Sequence, residues 1–477
     1  KVAALPEDKL RRLLDTLDRS ELLVRTEVGL PHETFEFPHE MVRQVTYDQM
    51  VLRTRETMHA RVLAALENDE SRRDELDTLC HHARKAKFWD KTLDYARQVA
   101  RKGVAQSAFA DATSHFEIAM DALERTPPSH AREIDAIDLR VEARMAYMGS
   151  GKVSEWFDLS KDAERRAGAI DDLGRKVAAM AVRSAALNFY GTPVEAIETG
   201  EQVVGLAEQL GDAGWLNYAQ YGLGQAYHIA GRYRASERIT GRACEQLMGP
   251  EAAAPIGTTP QSMLLICCMM KSMTHVALGE IDIAAGFQQR AQQIAAESSR
   301  PFDQVAASYA AGNLALSRDH PAEAAAILDD AFALAAEHGI RIFIPVTACF
   351  RGVAYLEQGR LEDARRILAD ALEDARSVGY KSIELRATVH LAIALSKLGQ
   401  SRDALELLRD ARNTARQQGF AGIEAEALFA ETIVAPSSSE GDRDAVVRSL
   451  RNCIEIAALC EAAPLRLRAE ARLSELS

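Results

Sequence analysis

The chain has 477 residues, 47% of them hydrophobic and 27% charged, with 57 basic against 70 acidic side chains and a net charge of −13. Such a composition is globular, and the length allows several domains or one long array of repeats. The acidic balance argues against nucleic acid and against an anionic membrane surface as partners, because both require clustered positive charge.

In chain order, residues 5–25 (LPEDKLRRLLDTLDRSELLVR) carry a leucine stripe and are predicted to form a helix. Phe35-Glu-Phe37 alternates as a strand does, and after LLVRT it makes the second arm of a β-hairpin, with VGLPHET between the arms. Pro38 then opens one long amphipathic pattern that runs to Glu67. His39 stands at the start of that helix, where it is expected to cap it or to contact a further module. His81 and His82 are adjacent, so on a helix they point about 100° apart and do not form a metal-binding i, i+4 pair. Packing is the expected role of both. MGSGKVSEW (148–156) contains Gly-Ser-Gly-Lys, but a phosphate loop needs glycine where Ala146 stands and a hydroxyl where Val153 stands. A turn is predicted there.

The most informative feature is a 40-residue period. DHPAEAAAILDDAFALAAEHGI from Asp319, GRLEDARRILADALEDARSVGY from Gly359 and GQSRDALELLRDARNTARQQGF from Gly399 start 40 residues apart. Ala324, Ala364 and Ala404 coincide, as do Leu328, Leu368 and Leu408, then Ala331, Ala371 and Ala411, then Ala335, Ala375 and Ala415. These spacings make one stripe of a helix, and Gly339, Gly379 and Gly419 stop it. A second helix precedes each segment, with small residues in register at Gly312, Gly352 and Ala392. Each unit is therefore helix A, tight turn, helix B. Gly279, Gly231, Gly191 and Gly151 continue the ruler backwards, with one long step whose excess falls in the loop GPEAAAPIGTTPQS (249–262).

This pattern resembles the tetratricopeptide repeat. One unit supplies Gly224, Tyr227, Gly231, Ser236 and Ala243; another supplies Gly352, Tyr355, Gly359, Ala364, Leu368 and Ala371. Small residues let helix A approach helix B, and the large one fills the hole between them. The resemblance covers roughly residues 75–470 and weakens before Gly191, where Trp156 stands in place of the usual alanine. It implies an all-α solenoid, a superhelix in which the helices A line a concave groove. The groove positions are Tyr218, Tyr221, Gln225, His228, Met269, Met273, Tyr309 and Asn313, a set suited to a protein or peptide partner. Val346, Cys349, Val353, Arg386, Val389 and Ile393, at matching positions of the flanking repeats, are expected to pack.

A second resemblance lies upstream. Phe35, Phe37, His39, Arg43, Tyr47, Arg55, His59, Ala65, Leu66 and Glu67, followed by the 80–123 stretch, are similar to the junction of large bacterial AAA or STAND signalling ATPases, above all those fused to class III adenylate/guanylate cyclases. There a winged helix follows the ATPase and precedes helical repeats. The resemblance implies a winged-helix remnant with its hairpin over residues 1–70 and tetratricopeptide-like repeats over 71–477. It also implies a catalytic module upstream of Lys1, which would make this chain a fragment.

No nucleophile elbow, zinc-protease motif, dinucleotide fingerprint or pair of cyclase aspartates is found, so no catalytic residue, cofactor or metal site is expected. The seven cysteines, of odd number and without Cys-x-x-Cys, are expected to be reduced and mostly buried in a cytoplasmic protein. The apolar run MLLICCMM is too short to span a bilayer. The reading favoured by these features is a non-catalytic sensor and interaction scaffold that controls an upstream ATPase or cyclase. The alternative is the repeat region of a maltose-regulator-type transcriptional ATPase; the ending LRLRAEARLSELS, with no room for a DNA reader, counts against it unless the chain was trimmed there too. An enzyme built on the solenoid is the third and weakest reading.

Overall fold

In a computed structural model, described over residues 5–26, 34–435 and 440–476, the chain divides into two compact units. One comprises residues 1–100 and 114–132, the other 101–113 and 133–477.

In the first unit, α1 (Glu7–Arg19) has acidic residues in its first turn and Arg19 in its last, as the helix dipole favours. It ends before the predicted residue 25 because the chain turns into β1 (Val24–Thr26), which pairs antiparallel with β2 (Thr34–Glu36). Arg25 faces Phe35 across the hairpin, its guanidinium 5.3 Å from the ring, and holds Asp15 of α1 at 2.9 Å. The hairpin tip lies outside the described residues. The long amphipathic pattern after Pro38 forms two helices, α2 (Glu40–Gln49) and α3 (Leu52–Glu67), separated by extended backbone at Met50 and Val51. Arg55 reaches back to the freed Met50 carbonyl at 2.9 Å. His39 occupies the N-cap of α2, but its side chain makes no capping bond. After a 3-10 turn at Glu70–Arg72 come α4 (Leu76–Lys85), α5 (Trp89–Ala105) and α6 (Phe109–Glu124), of which residues 101–105 and 109–113 are counted with the second unit. Leu63, Leu66, Leu79 and Ala83 form a core between α3 and α4. Beside it the Tyr47 hydroxyl lies 3.0 Å from His59 Nε2, and His59 Nδ1 lies 2.8 Å from His82 Nδ1.

The second unit continues with α7 (His130–Glu142), α8 (Arg144–Gly149), α9 (Val153–Ala167), α10 (Leu173–Tyr190), α11 (Pro193–Leu210), α12 (Ala213–Ile229) and α13 (Tyr233–Met248). Then follow α14 (Pro260–Leu278), α15 (Ile281–Glu297), α16 (Pro301–Ser317), α17 (Pro321–Glu337), α18 (Phe343–Glu357) and α19 (Leu361–Val378). The last are α20 (Lys381–Lys397), α21 (Ser401–Gln418), α22 (Ala421–Val434), α23 (Glu440–Leu459) and α24 (Ala463–Leu476). This is a tetratricopeptide-like α-solenoid of alternating A and B helices, and α17, α19 and α21 keep the 40-residue step. The reason for the small residues in helix A is visible in atoms. A Cβ on Gly312 would sit 2.5 Å from Leu328, and one on Gly352 would sit 2.5 Å from Leu368. Each glycine therefore lets helix A close onto the leucine of its own helix B.

The long loop is where the sequence placed it, between α13 and α14. It is pinned from within: Arg144 donates to the carbonyl of Ile256 at 2.5 Å and to Thr258 Oγ1 at 3.2 Å, and Asn217 donates to the carbonyl of Ala253 at 2.9 Å. The run MLLICCMM proves to be part of α14, which by length and composition is apolar enough to cross a bilayer. In this fold it is mostly buried against α13, α15 and α16. All seven cysteines are buried and unpaired.

The superhelix of this unit completes a turn and stacks on itself. Arg341 N–H donates to the Gly149 carbonyl at 2.7 Å, and Phe302 N–H donates to Ser107 Oγ at 3.4 Å, partners 195 residues apart in sequence. A Cβ on Gly231 would meet Gly422 N at 2.9 Å and Cys460 Sγ at 2.8 Å. Helices α10 and α20 touch across the same seam.

Candidate ligand cavity enclosed by the A helices

Tyr218, Tyr221, Gln225 and His228 follow one another on α12 at steps of three, four and three, so they share a face. Met269 and Met273 do the same on α14. The turn of the superhelix brings these faces, and those of α10, α16, α18, α20 and α22, around one cavity of about 130 Å3. Seven of the eight residues expected in the groove line it: Tyr218, Tyr221, Gln225, His228, Met269, Met273 and Tyr309. Asn313 does not; it is half-buried elsewhere on α16, with its Oδ1 lacking a partner.

One expectation needs correction. The positions are not exposed along an open groove: Tyr218, Gln225, Met269 and Tyr309 are buried, and Tyr221, His228 and Met273 are half-buried. The faces of the A helices converge on the cavity, and the contact of one superhelical turn with the next narrows the concave face. A second correction concerns the flanking repeats: Val346 and Arg386, expected to be packing residues, also face the cavity. Trp156, Phe189, Tyr233, Phe302, Phe343 and Tyr380 complete an aromatic wall, with Met145, Met148, Met263 and Met270 between them. Tyr380 carried a readable signal, because it follows the closing Gly379 just as Phe420 follows Gly419.

The charges around the cavity are matched. Arg386 binds Glu426 through two bonds of 3.2 and 3.0 Å, and the two residues sit one repeat apart on α20 and α22. Burial opposes the charge on Arg386, but Glu426 and the nearby Tyr233 and Tyr309 outweigh it, so its pKa is raised. Arg300 lies 3.8 Å from Asp303, whose carboxylate also accepts from Ser262 at 2.9 Å and Ser298 at 2.7 Å. Burial, with Arg386 adding to it, pushes the His228 pKa down to about 3, so the imidazole is neutral near pH 7; its Nδ1 lies 3.0 Å from Thr274 Oγ1. Burial also raises the phenols of Tyr221 and Tyr309, and that of Tyr380 to about 12, so they stay protonated. Among the described residues, the hydroxyls of Tyr221, Tyr309 and Tyr380 and the amide of Gln225 make no hydrogen bond to the protein. The cavity is thus apolar and ringed by aromatics, electrically balanced, and furnished with a few unspent polar groups, which are the properties of a small-molecule site.

The Gly-Ser-Gly-Lys stretch lies at the turn between α8 and α9, where Gly151 has φ +76° and Ser150 Oγ donates to the Tyr147 carbonyl. His81 and His82 pack around His59, with ring centroids 5.7 and 5.0 Å from its own.

Residues 344–417 match the tetratricopeptide repeat family. No curated protein matches the sequence. Among solved structures, NprR in complex with its cognate peptide NprX is similar, with a TM-score of 0.52 at 10% identity over 76% of this chain and 98% of that one. Rap protein complexed with competence and sporulation factor gives 0.51 at 10% identity over 71% and 97%. A STAND protein with a tetratricopeptide repeat sensor from Pyrococcus horikoshii gives 0.40 at 10% identity over 99% and 67%. The first two agree with this chain in fold.

Proposed function

We propose that the chain is a non-catalytic regulatory scaffold, a sensor that works by binding rather than by chemistry. The observation that carries the reading is the convergence of seven inward-facing side chains from α12, α14 and α16 on one charge-balanced cavity. Two proteins of similar fold are described as complexes, one with a cognate peptide, which supports a ligand- or peptide-taking role for the solenoid interior. In this reading Tyr218, Tyr221, Gln225, His228, Met269, Met273 and Tyr309 contact the bound partner, and Asn313 serves the fold.

The regulated partner is a nucleotide-binding module of the same polypeptide, an ATPase with or without a cyclase. Residues 1–70 are a winged-helix remnant that meets it, and 71–477 are the repeats. In support, α1 and α2 bury none of their residues, and Met41 and Val45 of α2 and Val51 and Leu52 beyond it are exposed. No observation favours the maltose-regulator alternative over this reading.

The test is nucleotide turnover, with magnesium and ATP, of three proteins: this chain, the adjoining nucleotide-binding module, and the two joined. The chain alone is expected to show no more turnover than its Lys152→Ala variant. Joining is expected to change the module's rate at least severalfold. Equal rates with and without the chain, or an adjoining sequence that encodes no nucleotide-binding module, overturn the reading.

A further inference from the structure

We infer that the cavity is a receptor site for a small uncharged aromatic compound bearing a hydrogen-bonding group, of the size and chemistry of indole or a phenol. The inference deepens the sensor reading and rests on it for the biological role, though not for the binding itself.

Size comes first. A cavity of about 130 Å3 approaches the roughly 150 Å3 that accommodates one benzene ring in a protein interior. It suits one compact, flat aromatic guest. A volume of this size takes one small guest, or a single side chain of a larger one.

Wall chemistry comes next. Tyrosines, phenylalanines and Trp156 offer ring edges and faces, and the methionines offer polarizable sulfur that shapes itself to a flat guest. An aliphatic guest of equal volume gains less from such a wall.

Charge narrows the class further. Arg386 is hydrogen-bonded to Glu426, and Arg300 has the Asp303 carboxylate beside it at 3.8 Å without a hydrogen bond between them, so each cation already has an anion as neighbour. A charged guest would enter a low-dielectric space with no counterion left over, which is costly. Finally, the free hydroxyls of Tyr221, Tyr309 and Tyr380 and the Gln225 amide all border the cavity. A purely hydrocarbon guest would leave them buried and unpaired, whereas one N–H or O–H on the ring satisfies at least one of them.

The experiment is ligand-observed NMR and calorimetry on the full chain, with indole and p-cresol as probes. Cyclohexanol, toluene and benzoate serve as comparators for the ring, the polar group and the charge. Indole and p-cresol are expected to saturate one site and to bind at least tenfold more tightly than each comparator. Met269→Trp, which fills the cavity, is expected to abolish binding with helix content unchanged. Should that variant fail to fold, Ala185→Leu, a smaller filling from α10, is expected to weaken binding at least tenfold. Tyr309→Phe, which removes a hydroxyl and no volume, is expected to weaken p-cresol severalfold and to leave toluene unaltered. No saturable binding up to the solubility of indole, equal affinity for all five compounds, or binding indifferent to the filling variant overturns the inference. Failure here with turnover still controlled by the chain removes the small-ligand inference alone. Indole binding with no effect of the chain on turnover removes the sensor reading and keeps the site.

Discussion

Three histidines, His59, His228 and His390, are held neutral in the fold and are expected to weaken it in acid. Burial is the main cause in each case, pushing the pKa of His59 and His390 down to about 4 and that of His228 to about 3. Histidines and Lys85 add to the effect at His59 and Arg386 adds to it at His228, whereas at His390, whose Nδ1 has no partner, Glu426 opposes it. In the unfolded chain a histidine titrates near 6.5. Between that value and about 4 the unfolded state binds more protons, so the stability present above pH 6.5 is lost as the pH falls through this window. The denaturant midpoint is expected to drop between pH 7 and 4. His390→Gln should make the drop shallower; an unchanged slope would rule out a contribution from this histidine. At the same scale, Arg144 is 1% exposed, lies between the Trp215 and Tyr218 rings, and hydrogen-bonds mainly to carbonyls and a threonine. It holds the α13–α14 loop in place by its donors rather than by an ion pair.

At the scale of the element, A and B helices answer different demands. The B helices α19 and α21 are amphipathic, with a stripe such as Ala364, Leu368, Ala371 and Ala375 buried and arginines and carboxylates outside. The A helices lie between neighbours on several sides, so α14 and α18 are apolar almost all round. Ala371 is fully buried where helix B meets its neighbours, whereas the Arg366 side chain is 64% exposed. Ala371→Trp should overpack the joint and cost about 1–3 kcal/mol. Arg366→Ala should stay within about 0.5 kcal/mol. Chemical denaturation of both variants checks this, and equal midpoints would contradict the register. The break between α2 and α3 belongs here too. The apolar period continues across Met50 and Val51, so periodicity alone reads one helix, but the extended backbone there divides it.

At the scale of the second unit as a whole, closure of the superhelix is the decisive feature, and it can be tested at two turn glycines with nearly the same backbone. Gly231 has φ +77° and Gly359 has φ +75°. A side chain at Gly359 meets nothing within 4 Å, whereas one at Gly231 runs into Gly422 and Cys460. Valine at either position suffers the same left-handed strain, so the difference between the two variants isolates the stacking of one turn on the next. Gly231→Val is expected to be about 1–3 kcal/mol less stable than Gly359→Val and to make the Cys460 thiol react faster with a thiol reagent. Similar stability and similar thiol reactivity would mean that the turns do not depend on this contact.

By itself the sequence determined the repeat. The coincidence of Ala324, Ala364 and Ala404, and of Leu328, Leu368 and Leu408, is a local property of helix packing, because each position meets the same neighbour in every unit. The turn and stop glycines, the long loop before α14 and the hairpin were legible for the same reason: each depends on residues close in sequence. The inward face of α12 was legible as a stripe. What only the tertiary structure decided was whether that face is open. Closure depends on contacts such as Gly231 against Gly422 and Ser107 against Phe302, made between residues nearly half the chain apart and carried by atoms that have no periodic signature. The same distance hid the role of Arg386. Its partner Glu426 stands one repeat later, and only the packing of α20 beside α22 turns two surface-type residues into a neutral pair at the cavity wall.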